Sequence, residues 1–148
     1  MATYTQIFYH IIYSTKERRL SLTPEIREDL FRYVWGVLKE HKCHLFRINA
    51  VDDHMHMLIS LHQDVKLCDL IKNMKVASTK WLRRERGRVR FPGWQSGYGA
   101  FTHSFAEKGR LIEYIKSQEE HHRKVSFKDE LRTLLKEAKV DFDEKYLL

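Results

Sequence analysis

The chain has 148 residues, 43% of them hydrophobic, enough for one packed domain over residues 1–148 and too rich in apolar side chains for disorder. No apolar run could span a bilayer, MATYTQIFYH lacks the basic-then-apolar plan of a signal peptide, and Cys43 and Cys68 form no CxxC pair, so a cytoplasmic protein with ordinary thiols is expected. The formal charge is +7, and nine Lys or Arg against two acids between Lys66 and Arg90 account for all of it, which suggests a nucleic acid whose phosphates would exchange counterions for those cations.

Tyr4 to Tyr13 is rich in aromatic and β-branched residues and reads as a buried strand. Thr23-Pro24 is a helix start, with Thr at the cap and Pro at the first helical position. Ile26, Leu30, Tyr33, Val34, Val37 and His41 then recur at helical spacing. Leu45 to Val51 reads as a second strand, Asp52-Asp53 as a tight turn, and His54 to Leu61 as a third strand pairing back as a hairpin.

Leu67, Leu70, Ile71, Met74, Ala77, Ser78, Trp81 and Leu82 trace one face of a second helix. Its cations Lys72, Lys75, Lys80, Arg83, Arg84 and Arg86 are the candidate nucleic-acid contacts, although a merely solvated face would have the same composition. The segment FPGWQSGYGAFTHS holds three of the six glycines among Trp94, Tyr98 and Phe101, with Phe105 just beyond. It reads as a Gly-rich edge strand whose aromatics mostly belong to the core. Glu107 to Lys124 is expected as a third helix. Ser126 to Asp129 is an S-x-x-D cap opening a fourth that contains Leu131, Leu134 and Leu135. DFDEKYLL is expected to be an extended tail docked by Phe142 and Tyr146. This order implies an α+β fold: a ferredoxin-like or RRM-like sandwich, with helices packed on one face of an antiparallel sheet.

VDDHMHMLIS carries two imidazoles two residues apart. Side chains alternate along a strand, so His54 and His56 share one face while Met55, Met57, Ile59 and Leu61 take the other. Two imidazoles on one face can share a metal ion. Asp52 has the parity of the histidines and Asp53 does not; either reads as a turn residue or as an acceptor for an imidazole N–H. A third ligand is best sought in GRLIEYIKSQEEHHRK. There Leu111, Ile112 and Ile115 define an apolar face, Tyr114, Gln118 and His121 lie together on its flank, and His122 falls within the apolar face, where a structural role is the simpler assignment.

YHIIYSTKERR, DHMHMLIS, WQSGYGAF, YIKSQEEHH and the tail DFDEKYLL, in this order and spacing, resemble the single-tyrosine HUH transposases of bacterial insertion sequences and their repeat-associated tyrosine relatives. The resemblance covers nearly the whole chain. It implies that His54 and His56 are metal ligands, with Gln118 as the third and Tyr114 as nucleophile. It also implies cleavage of single-stranded DNA through a 5′-phosphotyrosine link, later rejoining, and recognition of hairpins at element ends. A homodimer, in which the tyrosine helix serves either its own or the partner's site, and Mg²⁺ as the ion, are implied by the same resemblance. The residue chemistry is compatible. A phenol of pKa ~10 is a weak nucleophile unaided. A divalent ion can polarise the scissile phosphate, and imidazoles would also accept Mn²⁺ or another transition ion. The family pattern is broken at His103, where a smaller or aliphatic residue is expected, and His121 competes with Gln118 for the ligand position. Two other readings share these residues: a module that binds single strands or hairpins without cutting them, and a metal-dependent nuclease that uses water.

Overall fold

The computed structural model describes residues 1–84 and 90–147. Four strands form one antiparallel sheet: β1 (Phe8–Ser14), β2 (His44–Ala50), β3 (His54–Ser60) and β4 (Gly99–Thr102), in the order β2-β3-β1-β4. The hairpin expected at Asp52-Asp53 forms, closed by Val51 N–H donating to the His54 carbonyl at 3.1 Å. The Gly-rich segment supplies the edge strand, and Gly99 opposes Ile12 in the β1–β4 register. A Cβ at Gly99 would lie 2.8 Å from Ile12 Cγ2, so the Ile12 side chain packed against this position favours glycine here.

Alternation divides the sheet into two faces. Ile11, Tyr13, Met55, Met57 and Ile59 point to one side and form the larger core with Ile26, Leu30 and Val34 of α1 (Pro24–Glu40) and Leu70, Ile71 and Met74 of α2, described over Leu67–Arg84. A β-bulge at Phe46 sends Leu45 and Ile48 into this core despite their spacing of three, and sends Phe46 to the opposite side, against Phe8.

The expectation of helices on one face describes α1 and α2. The C-terminal helices extend the architecture with a second layer over the other face. Leu111 and Ile115 of α3 (Lys108–Lys116) pack on Phe8 and Leu58. Phe127 of α5 (Phe127–Glu137) packs on Ile12 and Phe101. His54 and His56 therefore lie sealed between the sheet and this second layer, both with no exposed surface.

Two local expectations are corrected. The predicted Glu107–Lys124 helix is not continuous: it breaks at Ser117, beyond which α4 (Gln118–His121) adds a single turn. The cause is tertiary. Asn49 of β2 donates its side-chain N–H groups to the carbonyls of Ile115 and Lys116, at 2.9 and 3.1 Å, and so caps α3. The tail is not extended throughout, since Glu144–Tyr146 makes one 3-10 turn. Its docking residue is the buried Leu147, while Tyr146 is 73% exposed.

Candidate active site

β3 fixes His54 and His56 on the inner face of the second layer, with Nε2 of each directed toward α5. Helix α5 begins where the Ser126 hydroxyl accepts the Asp129 N–H at 3.2 Å. Phe127 anchors it, its ring centroid 4.5 Å from that of His54. Three residues further, on the same helical face, Glu130 reaches the sheet with only 2% exposure. Glu130 Oε1 lies 2.9 Å from His56 Nε2, 2.9 Å from His122 Nε2 and 3.4 Å from His54 Nε2. Its other oxygen, Oε2, accepts the Tyr114 hydroxyl and lies 3.3 Å from His121 Nε2.

One carboxylate thus gathers both predicted imidazoles, the predicted nucleophile and the rival His121. Gln118 is fully buried beside Tyr114. Its amide nitrogen donates to the Tyr114 carbonyl at 3.2 Å, and its Oε1 has no partner. A buried amide oxygen without a donor needs one, or a cation.

The outer nitrogens of the imidazoles are also held. His54 Nδ1 donates to Asp53 Oδ1 at 2.7 Å, so Asp53 is the acceptor despite its parity. Asp52 instead pairs with Arg27 at 2.5 Å. His56 Nδ1 bonds the buried His10 Nε2 at 2.8 Å, and His122 Nδ1 donates to the Val125 carbonyl at 2.7 Å. The charges follow from these contacts. Burial would raise the Glu130 carboxyl, but bonds from His122, His54 and His56 outweigh it and hold the group ionised. Burial lowers His56 to about 4, against the pull of Glu130, and lowers His10 to about 3. Burial also opposes charge on His54, yet Asp53 and Glu130 raise it. The Tyr114 phenol is raised first by burial and then by the Glu130 charge, so it is held protonated.

The basic helix lies elsewhere. α2 packs on the opposite face of the sheet from the histidines, and Lys72, Lys80, Arg83 and Arg84 are exposed along it. Lys75 is turned inward: it donates to the Gln95 and Gly97 carbonyls at 2.8 and 2.6 Å, lies over the Tyr13 ring, and is lowered by burial to about 8. Arg83 Nε donates to the Phe91 carbonyl at 3.1 Å. These two side chains tie the Phe91–Ser104 segment to α2. Arg86 lies outside the described residues. Among the aromatics, Trp94 stands edge-on to Tyr13 and Phe101 is core, while Tyr98 and Phe105 are exposed. His103 approaches Glu107 at 3.4 Å and faces the His10 ring.

The sequence reading missed Glu130, His10 and the inward role of His122. Glu130 had a signal. It shares the apolar stripe of its helix with Phe127, Leu131 and Leu134, a place where a carboxylate needs a partner.

The family model described as "Transposase IS200 like" matches residues 3–118. The ISDra2 transposase TnpA of Deinococcus radiodurans is 24% identical over 123 residues, 76% of this chain and 84% of that protein. Two solved structures share the fold. One is a Deinococcus radiodurans R1 protein described as a transposase, with TM-score 0.61, 22% identity, and coverage of 80% of this chain and 95% of that one. The other is a REP-associated tyrosine transposase bound to a REP hairpin, with TM-score 0.64, 15% identity, and coverage of 84% and 76%. With the family model spanning most of its length, and the Tyr114 hydroxyl meeting the paired imidazoles on one carboxylate, the chain belongs to the IS200-like transposase family.

Proposed function

We propose that the chain is a transposase domain over residues 1–148 that cuts and rejoins single-stranded DNA with Tyr114 as nucleophile. The observation that carries this is the meeting of the Tyr114 hydroxyl with His54 and His56 at Glu130, far apart in sequence and on three different elements. Tyr114 Oη attacks the phosphorus, the P–O3′ bond breaks, and the phosphate stays linked to tyrosine on its 5′ side. The Tyr114 hydroxyl gives its proton to the Glu130 carboxylate that accepts its hydrogen bond, and the freed 3′-oxygen takes up a proton. The phosphotyrosyl ester keeps the bond energy that hydrolysis would lose, so a 3′-hydroxyl can later reverse the step. His54, His56 and Gln118 would hold a Mg²⁺ or Mn²⁺ ion, which when bound polarises the phosphate. The three side chains are neutral ligands and leave positions for phosphate oxygens.

The REP-associated relative is described with a REP hairpin, and a DNA hairpin is the partner proposed here too. Lys72, Lys80, Arg83 and Arg84 would track its backbone, with Arg86 beyond them, while Lys75 holds the neighbouring loop in place. The working unit is a homodimer, acting in the cytoplasm.

The test is a labelled single strand carrying a hairpin, incubated with Mn²⁺ and run on a denaturing gel. A covalent protein–DNA band that disappears in Tyr114→Phe is expected. Cleavage without that band would favour a water-using nuclease, and binding without cleavage a non-catalytic module. Persistence of the band in Tyr114→Phe would sink the nucleophile assignment. The double variant His54→Ala/His56→Ala should lose cleavage and keep hairpin binding, because the cations lie across the sheet from the histidines.

A further inference from the structure

Two buried imidazole nitrogens beside the site have no hydrogen-bond partner among the described residues, His10 Nδ1 and His103 Nε2. His10, 1% exposed, sits within β1; its ring stacks on His56 with centroids 5.1 Å apart and stands edge-on to Tyr114 at 6.0 Å. His103 directly follows β4, with its ring centroid 6.3 Å from that of His10. We propose that one ordered water joins these two nitrogens, and that His10 and His103 are thereby positioning residues that decide which nitrogen of His56 carries its hydrogen. This goes beyond the proposed reading and rests on it only for the role of His56.

The hydrogen positions follow from the partners. An ionised carboxylate only accepts, so His56, with Nε2 2.9 Å from Glu130 Oε1, carries its hydrogen there. In the neutral ring Nδ1 is then a lone pair, and it accepts from His10 Nε2 at 2.8 Å. That leaves His10 Nδ1 as a lone pair in its turn. His103 Nδ1 points to Glu107 Oε2 at 3.4 Å, an oxygen also held by Arg110 at 2.8 Å, so the bare nitrogen of His103 is Nε2. Two buried acceptors remain, and neither can satisfy the other. A donor between them can, and water carries two hydrogens. At ~2.9 Å from each nitrogen, a water spans rings at this separation. His103 lines a cavity of about 530 Å³ with Thr102, Glu107 and Arg110, which gives such a water a way in.

The same chain also runs in the opposite sense. As a ligand in the proposed function, His56 needs a bare Nε2 and therefore its hydrogen on Nδ1. His56 gives up its Nε2 hydrogen to solvent by way of Glu130 and takes the His10 Nε2 hydrogen on Nδ1. His10 takes one from the water on Nδ1, and the water regains one from solvent through the cavity. One proton leaves, one enters, and no ring is left charged. His10 then donates to the water and the water to His103. Every nitrogen of the three rings is satisfied in both states, which a phenyl or aliphatic side chain at either position would not allow.

Long-range proton–nitrogen correlation spectra of the imidazoles, recorded on the full chain without DNA, read each tautomer. The metal-free wild type should show His10 and His56 with hydrogen on Nε2, and saturating Mg²⁺ should move both to Nδ1 together. His103→Val removes the second anchor of the water. His10 should then populate both tautomers, and the Mg²⁺ affinity read from the same titration should fall about fivefold, on the scale of one hydrogen bond. His103→Gln keeps an oxygen that accepts from the water and should restore both, a rescue that a packing role would not produce. His10→Phe should weaken Mg²⁺ binding about tenfold or more. Circular dichroism checks each fold, and the partly buried His103 still reports if His10→Phe does not fold. Hydrogen on His10 Nδ1 in the metal-free wild type, a change of tautomer at His56 without one at His10, or wild-type tautomers in His103→Val would each overturn the inference. A His56 that ignores Mg²⁺ would sink its ligand role in the proposed function, and the metal-free tautomers with their response to His103→Val would still decide the water bridge. A covalent DNA band lost in Tyr114→Phe, together with unchanged tautomers in His103→Val, would sink this inference alone.

Discussion

Asn49 is the residue through which the sheet sets the end of the tyrosine helix. Its side-chain nitrogen donates to the Ile115 and Lys116 carbonyls, and its oxygen accepts the Ala50 N–H at 2.9 Å. In Asn49→Ala the two helix carbonyls lose their donor. At roughly 1 kcal/mol for the half-buried bond to Ile115, and up to as much for the exposed one to Lys116, the loss is at most about 2 kcal/mol. An unfolding entropy of about 2 cal/mol/K per residue turns this into a fall in Tm of about 6 °C for a chain of this length. Asn49→Asp keeps the shape but turns a carboxylate toward two carbonyls, so it should cost more, about 3 kcal/mol. Activity should fall further than stability, because Tyr114 sits one residue before the capped carbonyls and a displacement of ~1 Å can cost about 10²-fold in rate. Calorimetry gives the first quantity, single-turnover formation of the covalent band the second, and hydrogen exchange at the Ser117 and His121 amides reports the local fraying. An alanine variant within about 1 °C of wild type, or an aspartate variant no worse than alanine, would refute the capping argument.

Gly99→Ala should destabilise by about 1–3 kcal/mol in chemical denaturation, since the new Cβ meets Ile12 Cγ2 at 2.8 Å and the Phe101 ring at 3.2 Å; a neutral result would show that β4 shifts freely. Arg27→Met should cost about 1–2 kcal/mol, chiefly through the lost bond to the Leu22 carbonyl at 2.9 Å, because its partners Asp52 and Glu119 are 54% and 64% exposed and water replaces those pairs. Thermal unfolding at low and high salt separates these contributions, and a strong salt dependence would contradict that division. For Lys75, burial lowers the folded pKa to about 8 from 10.5, so between those values the unfolded chain binds more protons and wild-type stability rises with pH. The stability lost in Lys75→Met should therefore be larger at pH 10 than at pH 7.5, and an unchanged difference would exclude a desolvated amine. Hairpin binding should weaken steeply with salt, and Lys72→Gln, Lys80→Gln and Arg84→Gln should each reduce the slope by about one. Slopes equal to wild type would place the DNA on another surface.

Strands β1 and β3, the hairpin turn, the Pro24 helix start and the Ser126 cap were legible because each rests on local signals: alternation, turn residues and side-chain caps. Alternation alone placed His54 and His56 on one face and Met55 and Met57 on the other. The bulge at Phe46 and the break at Ser117 were not legible. The first depends on register with β3, and the second on a hydrogen bond from Asn49, 66 residues from Ile115 in sequence. The inward turn of Lys75 belongs with them, since a helical wheel shows a cation on a flank but not the two carbonyls that wait there.

The site divides the same way. Sequence by itself put His54 and His56 on one strand face and singled out Tyr114, Gln118 and the basic segment as candidates, because period-two and helical spacing decide which side chains share a face. Only the tertiary structure decided that α5 closes over that face and delivers Glu130 to four imidazoles and a phenol, and that the cations lie on the far side of the sheet. Periodicity orients a side chain relative to its own element. Which elements meet across a buried carboxylate is set by packing between layers.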